Sequence, residues 1–310
     1  MSHKIPTTLI SCTVDEKPRF HTELVMWALC YNKFLKGHSD AEVIFVNCFP
    51  SDLVEFLGSL GIQSRRARAL IDDSPHCNKI IPFLEEADYE YVIVCDSDLY
   101  FVDELQPFLR SKNIRAAPNN HCNPPRHIYE ILFANLGWKN RYRGGVSLLR
   151  NQTGSRETYY NNISAGIVAL PRHIRCDFAQ EWTKKAEWLV ENSDLLDRWV
   201  VHIDQVSFAL TCEELGLDVD FLPPQVNAVL GLLNAVEVPV AFHLTSAHIP
   251  LYRAAMRADG TFNPDAFRSV KRTQFVKLNN LILEARNVIA QLPSTREHQH
   301  TFLNPEWRRS

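Results

Sequence analysis

The stretch YVIVCDSDLYF, residues 91–101, joins the pattern of a buried strand to a pair of acidic residues. Residues 91–95 are largely apolar, which is typical of a strand covered on both faces, and the chain becomes apolar again after the pair. Two carboxylates at positions i and i+2 in a tight turn can both face one divalent cation, which keeps other coordination positions for water and phosphate. Asp96 and Asp98 therefore predict a site for Mn²⁺ or Mg²⁺ and a diphosphate-bearing substrate. So short a pattern also occurs where a strand simply ends in a turn.

The composition is that of an ordinary globular protein, with 45% hydrophobic residues, 22% charged residues and a formal net charge of -3. So small a charge gives no reason to expect nucleic acid as a partner. The N-terminal apolar run is too short for a signal peptide, and nowhere do about 18 apolar residues follow one another, so we expect no transmembrane segment and a cytoplasmic location. The eight cysteines form no CxxC pair and are expected to be reduced and structural.

Strand-like and helix-like patterns alternate along the first half of the chain. Strands are expected at residues 7–14, 42–48 and 91–95, and helices at 22–35, 51–61 and 78–86. Alternation of this kind implies right-handed crossovers and an α/β fold with a central mixed, mostly parallel sheet covered by helices. Ligands of such sheets bind beyond the carboxyl ends of the strands, where Thr13 and Asp15 join Asp96 and Asp98.

An irregular segment interrupts this pattern at residues 119–158. It is rich in Asn, Pro, Gly and Arg, and long irregular segments in compact domains are usually functional loops or lids. Its part WKNRYRGG, residues 138–145, combines aromatic rings that suit sugars, cations that suit phosphates and a glycine pair that allows hinging. We predict an acceptor-binding or donor-closing lid here, with an exposed basic loop as the alternative.

Regular structure is expected to return after the irregular segment. The predicted strands are residues 163–171, 219–222 and 238–244, and the predicted helices are 176–191, 203–215 and 267–292. We expect residues 1–292 to form a single domain and the polar residues 293–310 to form a loose tail.

With its flanks, VIVCDSDLYF resembles the D-x-D signature of GT-A glycosyltransferases, Rossmann-like enzymes in which a divalent ion held by the acidic pair grips the diphosphate of a sugar nucleotide. Three further stretches resemble motifs of glycosyltransferase family 8 and its relatives: YYNNISAGIVALP at 159–171, HIDQVSFAL at 202–210 and VAFHLTS at 240–246. The order and rough spacing of the four match that group over most of residues 7–246. The histidine segment continues as HLTSAHIPLYR, without the glycine, lysine and tryptophan of family 8, which indicates a more distant family of the same fold.

The resemblance implies a role for each matching residue. It makes Asp96, Asp98 and His243 the metal ligands, with His248 as the alternative third ligand. The donor-binding residues that it implies, besides the acidic pair, are Thr13, Asp15, Lys79, Ser97, Asn162, Ser164 and Gly166. Ordinary structural roles are also available: a solvated turn for Thr13 and Asp15, a solvated helix lysine for Lys79, a turn for Asn162 and a packed side chain for His243.

The implied reaction moves a sugar from a nucleotide-diphosphate sugar, with UDP favoured by analogy, to a glycan, lipid or protein acceptor. The resemblance places Asp204 at the sugar hydroxyls and Gln205 beneath the sugar, which favours retention of configuration. Since glutamine is a poor nucleophile, the implied route is a front-face one, in which the leaving phosphate takes the proton of the acceptor. An inverting enzyme with Asp204 as general base and a catalytically inactive GT-A-like binding protein are the alternatives.

Two other enzyme classes fit the sequence less well. Phosphatases of the haloacid dehalogenase class also place D-x-D after a buried strand, but they need a later Gly-Asp-x-x-x-Asp group that the sequence lacks. Nucleotidyltransferases open with a glycine-rich phosphate loop after the first strand, and SCTVDEKPRF, residues 11–20, contains no glycine. Arg65, Arg66 and Arg68 are expected to form a surface charge cluster.

Overall fold

A computed structural model of the protein describes residues 8–109, 111–138, 141–150, 154–245, 249–299 and 302–303. The chain folds into two compact units, each built from segments that are separate in the sequence. The first unit takes Met1–Arg68, Cys95–Arg110 and Pro223–Ser310, and the second takes Ala69–Val94 and Ser111–Leu222. A single domain over residues 1–292 stays a prediction.

Three parallel strands form the main sheet of the first unit. They are β1 (Thr8–Val14), β2 (Asp40–Val46) and β3 (Gln63–Ala67), in the order β1-β2-β3, with helices α1 (Pro18–Cys30) and α2 (Ser51–Ser59) as the crossovers. Neighbouring residues such as Cys12 of β1 and Val43 of β2 are completely buried, as expected for a sheet that helices cover. A π-helical turn at Tyr31–Leu35 extends α1.

Strand β3 contains part of the sequence predicted as a surface charge cluster. Arg65 lies in β3, and its Nε donates a hydrogen bond to Oε2 of Glu42 in β2 at 3.2 Å. Arg66, next to it, is exposed. Charged side chains are common on the outer strand of a sheet, where they discourage pairing with another chain. Because β3 is polar, its sequence showed no strand pattern, and the strand was not predicted.

A second sheet of the first unit carries the acidic turn. Its strands are β5 (Leu99–Phe101), β11 (Ala228–Val229) and β12 (Ala241–His243), in the order β11-β12-β5, and the helices α7 (Ile249–Ala255) and α8 (Arg272–Gln291) follow. Strand β12 runs antiparallel to β5, and His243 lies opposite Leu99. Phe275 of α8 packs against Phe242, with ring centroids 5.4 Å apart. This pairing brings residues that are distant in sequence to one end of the sheet.

The second unit contains the strands β4 (Tyr91–Cys95), β6 (Ile114–Pro118), β9 (Ile163–Pro171) and β10 (Val219–Phe221), in the order β10-β6-β9-β4. β10 is parallel to β6, whereas β9 is antiparallel to β6. Its helices are α3 (Ile81–Leu84), α4 (Arg126–Asn135), α5 (Arg172–Glu191) and α6 (Ile203–Glu214). The buried rings of Phe178, Trp182 and Phe208 join α5 to α6, with centroids 5.1 to 5.9 Å apart.

The predicted α/β class with a mixed, mostly parallel sheet is confirmed. β4 and β9 have their predicted bounds. The helix expected at 78–86 is instead a 3₁₀ turn at Pro75–Ile80 followed by the short α3. Strands β3, β5 and β6 were not predicted, because short or polar strands lack a clear alternation. None of the helices in the described part of the chain is long and apolar enough to cross a membrane.

The segment predicted as a lid, residues 119–158, has more regular structure than its sequence indicates. Besides α4 it holds β7 (Gly144–Val146), which pairs antiparallel with β8 (Glu157–Tyr159). A Cβ at Gly145 would lie 2.7 Å from the carbonyl oxygen of Tyr159. This close approach requires glycine whether or not the segment moves. Lys139 lies outside the described residues, and the lid stays a prediction.

Part of the segment predicted as a loose tail is packed. Thr295 is completely buried, and its hydroxyl donates a hydrogen bond to the Ile289 carbonyl at 3.0 Å. Phe302 and Leu303 are buried as well. Residues 304–310 lie outside the described residues.

Candidate active site

Two carboxylates and an imidazole converge in the first unit. His243 Nε2 lies 3.1 Å from Asp98 Oδ1 and 3.9 Å from Asp96 Oδ2. One possible ligand atom from each residue lies within 4.8 Å of the others. The aspartate side chains are 33% and 20% exposed, whereas that of His243 is 6% exposed, so the cluster opens to solvent on its carboxylate side. We call these three residues the acidic cluster.

Backbone hydrogen bonds place the acidic cluster. The amide of Leu99 donates to the Asp96 carbonyl at 3.2 Å, which closes a tight turn between β4 and β5. The amide of Leu244 donates to the Asp98 carbonyl at 3.0 Å, which joins the turn to the end of β12. Because β12 pairs with β5, the neighbouring His243 side chain reaches the two carboxylates.

A buried amide lies against Nδ1 of His243. Asn227 Oδ1 lies 2.7 Å from His243 Nδ1, and an amide oxygen can only accept a hydrogen bond. A metal ion on Nε2 would require the tautomer with its proton on Nδ1, and Asn227 Oδ1 is placed to accept that proton. This is the usual arrangement of a metal-binding histidine, whose second nitrogen is held by an outer partner. Two carboxylates and an imidazole suit Mn²⁺, and Mg²⁺ accepts the oxygens equally well.

The Asn227→Leu variant is expected to bind Mn²⁺ about 10- to 100-fold more weakly, the usual cost of losing an outer partner of a ligand. Leucine has a similar volume but offers no acceptor to Nδ1, so the orientation of the imidazole is no longer fixed. Titration calorimetry with Mn²⁺ measures the change. Asn279→Leu is the matched control, since Asn279 bonds only to the Phe262 backbone among the hydrogen bonds described. Unchanged Mn²⁺ affinity in folded Asn227→Leu protein would contradict this assignment.

The other predicted residues of the first unit lie near the end of β1 and within the acidic turn. Asp15 Oδ1 accepts a hydrogen bond from the Lys17 amide at 2.9 Å, which shapes the turn after β1. Thr13 Oγ1 is buried and has no hydrogen-bond partner among the described residues. Ser97 is buried, and its hydroxyl donates to Glu23 Oε2 at 3.0 Å. His248 lies outside the described residues.

The negative charge of the acidic cluster affects the pKa of the Cys12 thiol in β1. Burial is the largest cause that raises the pKa of Cys12, and the negative charges of Asp96, Glu23 and Asp98 raise it further. The carboxyl end of β1 therefore lies in the field of the acidic pair.

A buried ion pair forms in the second unit. Lys79 Nζ lies 3.1 Å from Asp204 Oδ2 and donates a hydrogen bond to the Ala165 carbonyl at 3.1 Å. Lys79 is 9% exposed and Asp204 is 3% exposed, so the interpretation of Lys79 as a solvated helix lysine is wrong. Burial is the largest single influence and opposes ionisation of Asp204, but Lys79, His76 and His202 together outweigh it, and the pKa of Asp204 lies below its ordinary value.

Helix α6 begins at this ion pair. The indole Nε1 of Trp182 donates to the Asp204 carbonyl at 3.0 Å and to Ser207 Oγ at 2.9 Å, which fixes the first turn of the helix. Gln205 Oε1 is buried and has no hydrogen-bond partner among the described residues. An unsatisfied buried acceptor is costly, so this oxygen is available to a ligand that donates a hydrogen bond.

Strand β9 carries the remaining predicted residues. Asn162 Nδ2 donates to Thr158 Oγ1 at 2.7 Å, whereas its Oδ1 is a buried acceptor without a partner in the described part of the chain. Ser164 Oγ accepts from Nδ2 of Asn120 at 3.4 Å, and Asn120 Oδ1 is likewise unsatisfied there. Gly166 is buried in the same strand. Two acceptors beside β9, Asn120 Oδ1 and Asn162 Oδ1, therefore have no donor among the described residues.

Sequence reasoning missed Asn227, Glu23 and Asn120. Glu23 lies within a helix of apolar periodicity, and Asn227 lies in a 3₁₀ turn far from the acidic pair in sequence. Neither position carries a pattern of its own, because each acts through a contact that only the fold creates. Asn120 was visible only as part of an irregular, Asn-rich segment.

Comparison with known proteins identifies the family and the fold of the chain. A family model described as the Rhodobacterales glycosyltransferase domain matches residues 47–216, more than half of the chain. No curated protein matches the sequence.

Solved structures are similar in fold at low sequence identity. The galactosyltransferase LgtC, in complex with donor and acceptor sugar analogues, is 12% identical with a TM-score of 0.56, over 88% of this chain and 95% of LgtC. The glycosyltransferase GlyE of Streptococcus pneumoniae TIGR4 is 14% identical with a TM-score of 0.50, over 92% of this chain and 63% of GlyE. At such identities the likeness shows the fold alone, and it confirms the predicted GT-A fold.

Proposed function

The chain belongs to the Rhodobacterales glycosyltransferase family and is a glycosyltransferase, and we propose that it transfers a sugar from a nucleotide-diphosphate sugar in a reaction that depends on Mn²⁺ or Mg²⁺. The acidic cluster is the observation that carries this proposal, because two carboxylates and an imidazole whose Nδ1 contacts Asn227 form a donor set for one divalent ion. A UDP-sugar is the favoured donor, by resemblance to family 8.

Asp96, Asp98 and His243 would hold the ion, which supplies Lewis-acid stabilisation of the negative charge that develops on the departing diphosphate. The open carboxylate side of the cluster supports this role, since substrate oxygens need access to the coordination positions that the protein leaves free. Thr13 and Asp15 are proposed to contact the nucleoside, and Ser97 to support the acidic pair from within the turn. The acceptor is a glycan, a lipid or a protein.

Residues of the second unit are proposed to bind the donor sugar. Gln205 Oε1 and Asn162 Oδ1 are buried acceptors that sugar hydroxyls can satisfy. Ser164 and Gly166 are also proposed to contact the donor sugar, and Lys79 favours the ionised form of Asp204.

Retention of configuration is the proposed outcome. The alternative, inversion, needs a general base whose pKa lies near the working pH. The pKa of Asp204 is lowered by Lys79, which makes this carboxylate a weak base. A front-face route needs no such base, because the leaving phosphate takes the proton of the acceptor hydroxyl.

The proposal is tested by thermal unfolding with a panel of UDP- and GDP-sugars, each with Mn²⁺ and with EDTA. A donor present at 100 times its dissociation constant is expected to stabilise the protein by about 2.7 kcal/mol in Mn²⁺ and much less in EDTA. Release of free nucleotide diphosphate from the same donor then measures turnover. Stabilisation that is equal in Mn²⁺ and EDTA contradicts the metal-dependent site, and binding without any turnover favours the inactive binding protein.

A further inference from the structure

The middle residue of the acidic turn points away from the carboxylates beside it. Ser97 is 5% exposed and donates its hydroxyl to Glu23 Oε2 at 3.0 Å, whereas the flanking Asp96 and Asp98 side chains reach solvent. Glu23 belongs to α1 and is itself 4% exposed. A buried carboxylate of the first unit therefore touches the turn between the two proposed metal ligands.

We propose that Glu23 is a positioning residue of the metal site, which holds the Asp96–Asp98 turn in its metal-binding form through Ser97. This inference rests on the metal-dependent function proposed above. A buried carboxylate is costly unless it is hydrogen-bonded or paired. The neighbours of Glu23 along α1, Leu24 and Val25, are completely buried and apolar, so helix packing alone gives no reason for an acid here. Hydrogen bonds to a charged group are also stronger than those between neutral groups.

The bond to Glu23 completes the restraint of the turn. The Leu99 amide fixes the Asp96 carbonyl, and the Leu244 amide fixes the Asp98 carbonyl, so both ends of the turn are held through the backbone. Two side chains of the turn are held as well: the Ser97 hydroxyl donates to Glu23 Oε2, and Asp98 Oδ1 lies 3.1 Å from His243 Nε2. The hydrogen bond from Ser97 to Glu23 restricts rotation of the neighbouring peptide groups. The Asp96 and Asp98 carboxylates are thereby kept on the solvent side of the turn.

Repulsion makes such an anchor useful. Ligand atoms of Asp96 and Asp98 lie within 4.8 Å of each other, and like charges at that distance repel when no cation lies between them. A turn that is free to rotate would relax by moving the carboxylates apart, and binding of the ion would then have to reverse that movement. A turn held by Ser97 and Glu23 keeps the ligand geometry in advance, which is what outer partners of metal ligands do.

The negative charge of Glu23 adds a second contribution. Arg19 Nε lies 4.0 Å from Glu23 Oε1, one turn away in the same helix. A carboxylate in a buried environment attracts a nearby cation more strongly than one in water does. Glu23→Gln removes the charge but keeps an oxygen acceptor for Ser97, whereas Ser97→Ala removes the hydrogen bond but keeps the charge.

The test measures binding of Mn²⁺ alone, by the loss of the electron paramagnetic resonance signal of free Mn²⁺, in the full chain. Ser97→Ala is expected to weaken Mn²⁺ binding by about tenfold or more. Glu23→Leu should weaken it at least as much, and Glu23→Gln less than Glu23→Leu, because the glutamine oxygen still accepts from Ser97. In turnover assays the Mn²⁺ concentration for half-maximal rate should also rise in Ser97→Ala.

Thr22→Val is the matched control. Thr22 precedes Glu23 in α1, is completely buried and donates its hydroxyl to the Arg19 carbonyl at 2.8 Å, so the variant removes a buried hydrogen bond of the same helix without touching the turn. It should lower the free energy of unfolding and leave Mn²⁺ affinity unchanged. Asp98→Asn is the reference variant that removes a proposed metal ligand and should bind Mn²⁺ weakly.

The outcomes separate the anchor from the metal site. Wild-type affinity in both Ser97→Ala and Glu23→Gln, with weak binding in Asp98→Asn, overturns the role of Glu23 and leaves the proposed function intact. If the wild-type protein itself binds no Mn²⁺, the proposed metal site is wrong and the anchor with it. Loss of affinity in Thr22→Val equal to that in Ser97→Ala also overturns the proposal, because the effect would then be one of general stability.

Discussion

The Asp98→Asn variant is expected to lose about 10²- to 10³-fold in kcat/KM, the usual effect of removing one group that stabilises developing charge. The substitution keeps the size of the side chain but replaces a charged ligand with a neutral one. Asp98 Oδ1 is the carboxylate oxygen nearest to His243 Nε2, at 3.1 Å, so its loss affects the centre of the acidic cluster. The rate is measured with the donor that the sugar-nucleotide panel identifies, over a range of Mn²⁺ concentrations.

Glu104→Gln is the matched control for Asp98→Asn. Glu104 lies a few residues further along the chain, and its exposed carboxylate is 3.9 Å from the exposed His38 Nε2. Pairs on the surface contribute little, so this variant should keep its activity to within a small factor. If Asp98→Asn kept wild-type kcat/KM and wild-type Mn²⁺ affinity, the acidic cluster would not be the metal site. Recovery of activity at high Mn²⁺ would instead show that the main loss was in binding the ion.

The parts of the site that the sequence predicts are those with a local signature. Asp96 and Asp98 are recognisable because an apolar strand leads into them, and the strand β4 has its predicted bounds. His243 could be identified through its resemblance to a family motif at the end of a β-rich run. The pairing of β12 with β5, which brings His243 to the aspartates, has no signature, because both strands are only three residues long.

The partners that orient the proposed ligands come from elsewhere in the chain. Glu23 reads as one polar position in an apolar helix, and Asn227 as one residue of a turn. The ion pair of Lys79 with Asp204 joins positions more than a hundred residues apart, and charge alone would place both on the surface. Only the fold decides which of these polar side chains are buried, so their importance follows from burial and contact and not from sequence spacing.

Lys79→Met is expected to lower the free energy of unfolding by about 3–5 kcal/mol at neutral pH, because it leaves the buried Asp204 carboxylate without its countercharge. Both side chains are at most 10% exposed, so little solvent screening is available. Methionine keeps most of the aliphatic volume of lysine and limits the loss of packing. Urea denaturation measures the change, and Lys184→Met is the control, since the exposed Lys184 pairs with Glu181 on the surface at 3.1 Å.

The destabilisation is expected to depend on pH with a definite sign. In the wild-type protein the pKa of Asp204 lies below its ordinary value, so the ion pair stabilises the fold above about pH 4, and this contribution is lost as the pH falls through the lowered folded pKa. In Lys79→Met, burial dominates and should raise the pKa of Asp204 above its ordinary value. Protonation at low pH then relieves the unpaired charge, and the difference between variant and wild type should shrink as the pH falls from about 7 toward 4.

The double variant Lys79→Met/Asp204→Asn separates charge from packing. It removes both members of the pair, so no uncompensated charge remains, and much of the stability lost in Lys79→Met should return. Its unfolding free energy should also be less dependent on pH than that of Lys79→Met. If Lys79→Met cost no more than Lys184→Met, or cost the same at about pH 4 as at about pH 7, then Asp204 would not be an ionised carboxylate held by Lys79. The lowered basicity that argues for a retaining, front-face transfer would then lose its support.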